Sequence, residues 1–313
     1  MKLLIIKTSS MGDIIHTLPA ITDAAQHIPN LQIDWVVEEC FAEIPLWHPA
    51  ITNVIPVALR RWRKQPLKTV RSNEWRNFYR QLRATEYDFV IDAQGLIKSA
   101  FLTRLARGIR CGFTKYSARE SLAALVYQQH YEIKKQQHAI TRTRQLFAAI
   151  LNYSFNPAIV NYGIDTQRIP MSNFKLPENY SVFITNTSRS DKRWPADNWH
   201  ALLQHCQQNN LSVVLPSGTG AEIALTQSIA KDFANITLLP SCSLTQLLEV
   251  LAYANFIVSV DTGLSHLAAA LAKPTVVIYQ TSDPTLIGTQ GEHQQHLIDP
   301  TPNEVWEKLY VAH

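Results

Sequence analysis

Short apolar runs that do not alternate with polar residues recur along the chain, each followed by a stretch with helical spacing. In the first half the runs are Lys2–Lys7, Ile33–Val37, Val54–Val57 and Tyr87–Ile91. Helical spacing fits Asp13–His27, Asn73–Ala84, Leu96–Arg107 and His138–Leu151. A strand buried on both faces reads as a continuous apolar run, and its alternation with helices is the mark of a parallel sheet covered on both sides. Pro19 falls within the second segment and is expected to kink that helix rather than end it.

Between 152 and 180 the pattern lapses into Pro157, Gly163, Pro170, Pro177 and polar residues, a composition suited to a linker. Alternation then restarts. Strands are expected at Ser181–Thr185, Ser212–Leu215, Ile236–Leu238, Phe256–Val260 and Thr275–Tyr279. Helices are expected at Ala196–Gln208, Ala221–Phe233, Leu244–Ala254 and Leu264–Leu271. The fold class read from this is α/β: two Rossmann-like domains, 1–165 and 166–313, with parallel sheets facing across a cleft. A last helix, Asn303–Val311, belongs to the second domain, with the option of packing back on the first.

At 313 residues the chain is long enough for two such cores, and 46% hydrophobic against 17% charged is a globular composition. The four cysteines, Cys40, Cys111, Cys206 and Cys242, show neither CxxC nor Cys/His ligand spacing, so no metal site is expected and a reducing cytosol is. The apolar run at the N-terminus stops at Lys7 with no cleavage site after it, which reads as a strand and not a signal peptide. No segment approaches the roughly 20 apolar residues of a membrane span, so a soluble protein is expected. Residues 1–165 hold 21 Lys+Arg against 13 Asp+Glu, whereas residues 166–313 hold 8 against 12. Halves of opposite sign meet different partners.

Parallel sheets bind ligands beyond the carboxyl ends of their strands. Phe256–Val260 runs into Asp261-Thr262-Gly263-Leu264-Ser265-His266 and a helix start, where unpaired N–H groups and the helix dipole suit a phosphate. An ordinary strand–helix connection capped by Thr262 has the same sequence. In the first half Lys7-Thr-Ser-Ser10-Met-Gly12-Asp13 makes the corresponding turn. Gly12 permits close approach to a ligand. Asp13, at a helix start, is either a general base toward a sugar hydroxyl or a helix cap. Neither GxGxxG nor GxxxxGK[ST] occurs, which leaves dinucleotide and P-loop sites unsupported.

From 60 to 83 there are nine basic residues and one acid, Glu74, with Trp62 and Trp75 among them. This density suits nucleic acid, an anionic membrane surface or a phosphorylated ligand, or else a solvated basic face. Lys98, Arg104, Arg107, Arg110 and Arg119 extend the positive character. In the second half Thr187, Ser188 and Lys192 follow a strand and suit a diphosphate, or form a polar loop closed by Pro195. Glu222, after Gly218 and Gly220, suits ribose hydroxyls. The loop around Cys242 offers backbone to an adenine edge.

Taken together these turns resemble the ADP-heptose:lipopolysaccharide heptosyltransferases of glycosyltransferase family nine. The similarity is carried by Lys7-Thr-Ser-Ser-Met-Gly-Asp13-Ile-Ile-His16-Thr-Leu-Pro19, Arg60-Arg-Trp-Arg-Lys64, Ile91-Asp-Ala-Gln-Gly95-Leu-Ile-Lys98, Thr187-Ser-Arg-Ser-Asp-Lys192-Arg-Trp-Pro195 and Ser259-Val-Asp-Thr-Gly-Leu-Ser-His266, spread through nearly the whole chain. The chain departs from the family at Cys242, where relatives have Met, at Ser188, where they have Thr, and at Gln280-Thr-Ser-Asp283, where they have Gly-Pro-Thr-Asp.

The resemblance implies a GT-B fold and inverting transfer of heptose from ADP-L-glycero-β-D-manno-heptose to the Kdo of a Kdo-lipid A acceptor, with no cofactor and no metal. It implies Asp13 as base. It assigns Thr187, Ser188, Lys192, Glu222, Cys242, Asp261, Thr262, Gly263 and His266 to the donor, and Ser10, Gly12, Arg60, Arg61, Arg63, Lys64 and Lys98 to the acceptor. It further implies a cytoplasmic, peripheral protein on the anionic inner-membrane face, with no nucleic acid as partner. The competing readings are a nucleotide-sugar epimerase on the same fold, which has no need of the basic arm, and a nucleic-acid-binding protein using residues 60–83, which leaves the 187–192 and 261–266 turns without a purpose.

Overall fold

The computed structural model describes residues 1–169, 174–187, 189–218 and 220–310. The chain forms two compact units, Met1–Asp165 and Thr166–His313. In the first, β1 (Lys2–Ile6), β2 (Gln32–Glu38), β3 (Ile51–Val57), β4 (Tyr87–Asp92), β5 (Gly108–Phe113) and β6 (Gln129–Tyr131) form one parallel sheet in the order β3-β2-β1-β4-β5-β6. In the second, β7 (Ser181–Ile184), β8 (Val213–Leu215), β9 (Ile236–Leu238), β10 (Ile257–Val260), β11 (Thr275–Tyr279) and β12 (Gln294–Ile298) pair in the order β12-β11-β10-β7-β8-β9. Within each unit three strands are laid outward in one direction, and the fourth returns beside the first. The central register is Leu3↔Phe89 between β1 and β4, and Ile257↔Val182 between β7 and β10.

The apolar runs explain the middle of each sheet. Leu3, Leu4, Ile5 and Ile6 are fully buried, as are Val277, Ile278 and Tyr279. Burying each such side chain is worth about 1.5–3 kcal/mol. Helices cover both faces. Trp199, Leu202, Leu203 and Cys206 of helix Ala196–Gln208 pack on Phe183, Val258 and Ile278 of the second sheet. Among the described residues no helix is long and apolar enough to cross a membrane.

Two expectations are corrected. The segment after Asp13 is two helices, Met11–Ile15 and Leu18–His27, so Pro19 lies in the first turn of the second helix and kinks nothing. Strands β5, β6 and β12 were not expected. The closing helix, Pro302–Tyr310, puts Val305 and Leu309 into the second unit's core cluster with Trp199 and Val276.

Candidate active site

Where strand order reverses in an open parallel sheet, the loops leaving the two central strands diverge and leave a crevice. In the first unit those are the loops after β1 and β4, and in the second the loops after β7 and β10. All the turns singled out in the sequence at 7–13, 92–98, 187–192 and 261–266 fall on these four loops.

In the first unit a hydrogen-bond zipper joins the two loops. The Gln94 side chain accepts from the Thr8 N–H at 2.8 Å and the Thr8 hydroxyl at 2.9 Å, and donates to the Ser9 carbonyl at 3.1 Å. Lys98 Nζ donates to Ser9 Oγ at 2.9 Å. Beneath them Asp92 is fully buried. Its Oδ1 accepts the N–H groups of Gln94 and Gly95, each at 2.9 Å, and its Oδ2 accepts the hydroxyls of Ser99 at 2.9 Å and Tyr127 at 2.7 Å. Burial pushes the Asp92 carboxyl up, and these four donors pull against it. Gly95 turns this loop at φ +67°, where a Cβ would lie 3.2 Å from the Phe113 ring.

Asp13 stands on the first turn of helix Met11–Ile15 and accepts from the Ser10 N–H at 3.1 Å and the Ser10 hydroxyl at 3.0 Å. That is the capping geometry left open by the sequence. The carboxylate does more than cap, however. Its Oδ1 lies 2.7 Å from Arg119 Nη2 and 3.7 Å from Lys7 Nζ. Burial acts to raise its pKa, but the Lys7 and Arg119 cations outweigh that and hold the carboxyl well below the usual range. Lys7 is itself buried, which lowers its pKa against the attraction of Asp13. The pairing of Arg119 with Asp13, 106 residues apart, had no signal in the sequence beyond its charge.

The first residues of the basic arm differ in what they contact. Burial lowers the Lys98 pKa, with Arg60 and Arg63 acting in the same direction and Glu38 and Asp13 against it. The Arg60 N–H donates to Glu38 Oε1 at 2.9 Å, and its guanidinium stacks over Phe41 at 5.1 Å. Arg61 is occupied. It pairs with Glu39 at 3.1 Å and grips both oxygens of Glu74, one of them from Nη1 at 2.9 Å. Arg63 and Lys64 are exposed on the arm, while Ser10 and Gly12 flank Asp13.

In the second unit Lys192 and Asp261 form an ion pair at 2.6 Å with both side chains largely buried. Thr187 donates its hydroxyl to the Asp261 carbonyl at 3.2 Å, so three predicted donor residues meet at one point. Thr262 precedes helix Gly263–Ala270, whose first turn holds Gly263 and, buried, His266. Ser265, fully buried, returns its hydroxyl to the Thr262 carbonyl at 2.6 Å. Glu222, on the first turn of helix Gly220–Ala230, accepts the Gly218 N–H at 3.2 Å. Cys242 is half-buried in the loop before helix Leu244–Tyr253. Ser188 lies outside the described residues. Sequence reasoning missed Thr281, which donates to Asp191 Oδ2 at 3.1 Å and ties the loop after β11 to the loop after β7. Among the described residues no three His, Cys, Asp or Glu side chains cluster to hold a metal ion.

Residues 75–307 match the family model of glycosyltransferase family 9 (heptosyltransferase). The chain is 47% identical over 304 residues to the lipopolysaccharide heptosyltransferase 1 of Salmonella typhimurium, spanning 97% of this chain and 96% of that relative. Its structure superposes on E. coli heptosyltransferase WaaC with ADP at TM-score 0.92 and 45% identity, and on the same enzyme with ADP-2-deoxy-2-fluoro heptose at 0.90 and 44%, covering the whole of both chains in each case. With that identity and coverage, the chain belongs to glycosyltransferase family 9, the heptosyltransferases.

Proposed function

We propose that this enzyme is a lipopolysaccharide heptosyltransferase 1, moving L-glycero-D-manno-heptose from ADP-heptose to the Kdo of the lipopolysaccharide inner core. The observation that carries the mechanism is the ionised Asp13 carboxylate at the switch point of the first sheet. In this reading the first unit binds the acceptor and the second the donor. Asp13 takes the proton of the Kdo hydroxyl as its oxygen attacks the anomeric carbon of heptose. The bond from that carbon to the ADP oxygen breaks in the same displacement, which inverts the configuration. Lys192 offsets charge gathering on the departing diphosphate, assisted by the N–H groups at Gly263. Thr187 and Asp261 hold Lys192 in place, His266 and Thr262 complete the pyrophosphate turn, and Glu222 and the Cys242 backbone hold ribose and adenine.

Lys98, Arg60, Arg63 and Lys64 meet the acceptor's phosphates, and the basic arm holds the protein to the anionic inner-membrane face. Arg61 contributes by bracing the arm through Glu39 and Glu74. An epimerase has no use for that arm. The direct test is incubation with ADP-heptose and Kdo-lipid A, with the product read by mass. Asp13→Asn is expected to lower kcat by about 10²–10⁴-fold. Calorimetric titration with ADP-heptose should return an unchanged affinity. A matching loss of donor binding would reduce Asp13 to a helix cap.

A further inference from the structure

The first unit exposes apolar side chains that the site does not use. Helix Pro66–Arg71 faces Leu67 and Val70 outward, with Leu67 80% exposed. In the turn Ser121–Val126, Ala123 and Ala124 pack inward on Ala100, while Leu122 and Leu125 point out, Leu125 being 82% exposed. Phe101, on helix Ile97–Leu105, lies between them with half its surface exposed.

The elements that carry these side chains pack in series, helix Pro66–Arg71 against helix Asn73–Leu82 and helix Ile97–Leu105 against the turn Ser121–Val126. Val70 lines a groove of about 650 Å³ with Trp75 and Tyr79. Trp75 stacks on Phe101 with ring centroids 6.3 Å apart, and Ala100, the neighbour of Phe101, packs on Ala123 and Ala124. Single exposed leucines are ordinary, but a connected strip of them is not.

Charge identifies what covers it. Of the nine basic residues from 60 to 83, Arg61 alone has a carboxylate partner among the described residues. Arg76, Arg80 and Arg83 line the same groove as Val70. Aliphatic tips amid long cationic side chains match an anionic headgroup layer over an acyl layer, with Lys and Arg heads at headgroup depth and leucines reaching the acyl boundary. Trp75 and Tyr79 are the side-chain types that settle between the two.

We propose that Leu67, Val70, Phe101, Leu122 and Leu125 form a shallow insertion surface that seats the first unit on an anionic bilayer. This deepens the lipid-acceptor reading and rests on it for its purpose, while the surface itself is measured without acceptor. The full-length protein is floated with vesicles of phosphatidylglycerol and phosphatidylcholine, and with phosphatidylcholine alone. The parent partitions to the anionic vesicles. The variant Leu67→Ser/Val70→Ser/Leu122→Ser/Leu125→Ser partitions at least about tenfold less, with an unchanged melting curve. The pair Leu122→Ser/Leu125→Ser, outside residues 60–83, shows part of that loss and serves if the fourfold variant is unstable.

Equal partition of parent and both variants, or no binding of the parent to anionic vesicles, overturns the surface. Transfer is assayed in parallel on a water-soluble, acyl-free Kdo acceptor, where the variants keep the parent's rate. Lost partition with no transfer by any form sinks the transferase reading and leaves the surface standing. Transfer with unaltered partition does the reverse.

Discussion

Asp13 is gripped by Lys7 and Arg119, and a carboxylate so placed is ionised but weakly basic. Its depressed pKa stabilises the fold above the ordinary carboxylate range, and that contribution is lost as pH falls through the range toward the depressed value. With Asp13 as the proposed base, the acid limb of the rate profile is expected below ordinary carboxylate values. Arg119→Gln removes the nearer cation. It is expected to raise that limb toward about pH 4, the range of an unperturbed Asp. The profile of kcat/KM against pH reads this, and an unmoved limb would mean that Asp13 is not the titrating base. Asp13 was legible in the sequence because it follows a tight turn at a strand end. Arg119 was not, because only the fold brings it to Asp13.

The central strands were legible as elements because they are buried on both faces and read as pure apolar runs. Of the edge strands, β6 and β12 were not. β12 reads Gln-Gln-His-Leu-Ile and β6 only Gln-His-Tyr, since an edge strand half in water needs no apolar run. The break between the first two helices was hidden because Pro19 suits a first turn as well as a kink.

Helix Leu18–His27 is also fastened by a buried imidazole. His48 Nδ1 accepts the Ala50 N–H at 3.1 Å, which leaves Nε2 to donate to Thr22 Oγ1 at 3.0 Å. That network needs neutral His48, and burial lowers its pKa to about 4. A histidine with a depressed pKa withdraws stability as pH falls from about 6.5 toward 4, by up to about 3 kcal/mol. Urea unfolding across that interval should show the slope in the parent, and His48→Gln should flatten it.

Over the whole molecule, the two sheets share one strand order, although no repeat is visible in the sequence. Pairing and layer order are properties of the backbone, and two unrelated sets of apolar residues satisfy them equally. Each unit has its own core, so urea should resolve two transitions. ADP is expected to raise only the one belonging to 166–313, by about 2.7 kcal/mol at a hundredfold excess over Kd. Lys192→Gln should abolish that rise. A rise shared equally by both transitions would count against a donor site confined to the second unit.

The chain passes from one unit to the other once, at 165/166, and no strand of either sheet is borrowed from the other unit. A gene with that layout can trade halves at a single joint without leaving a strand unpaired. Under the proposed division of acceptor and donor between the units, recombination between relatives would change which sugar is given and which surface receives it as separate inheritances.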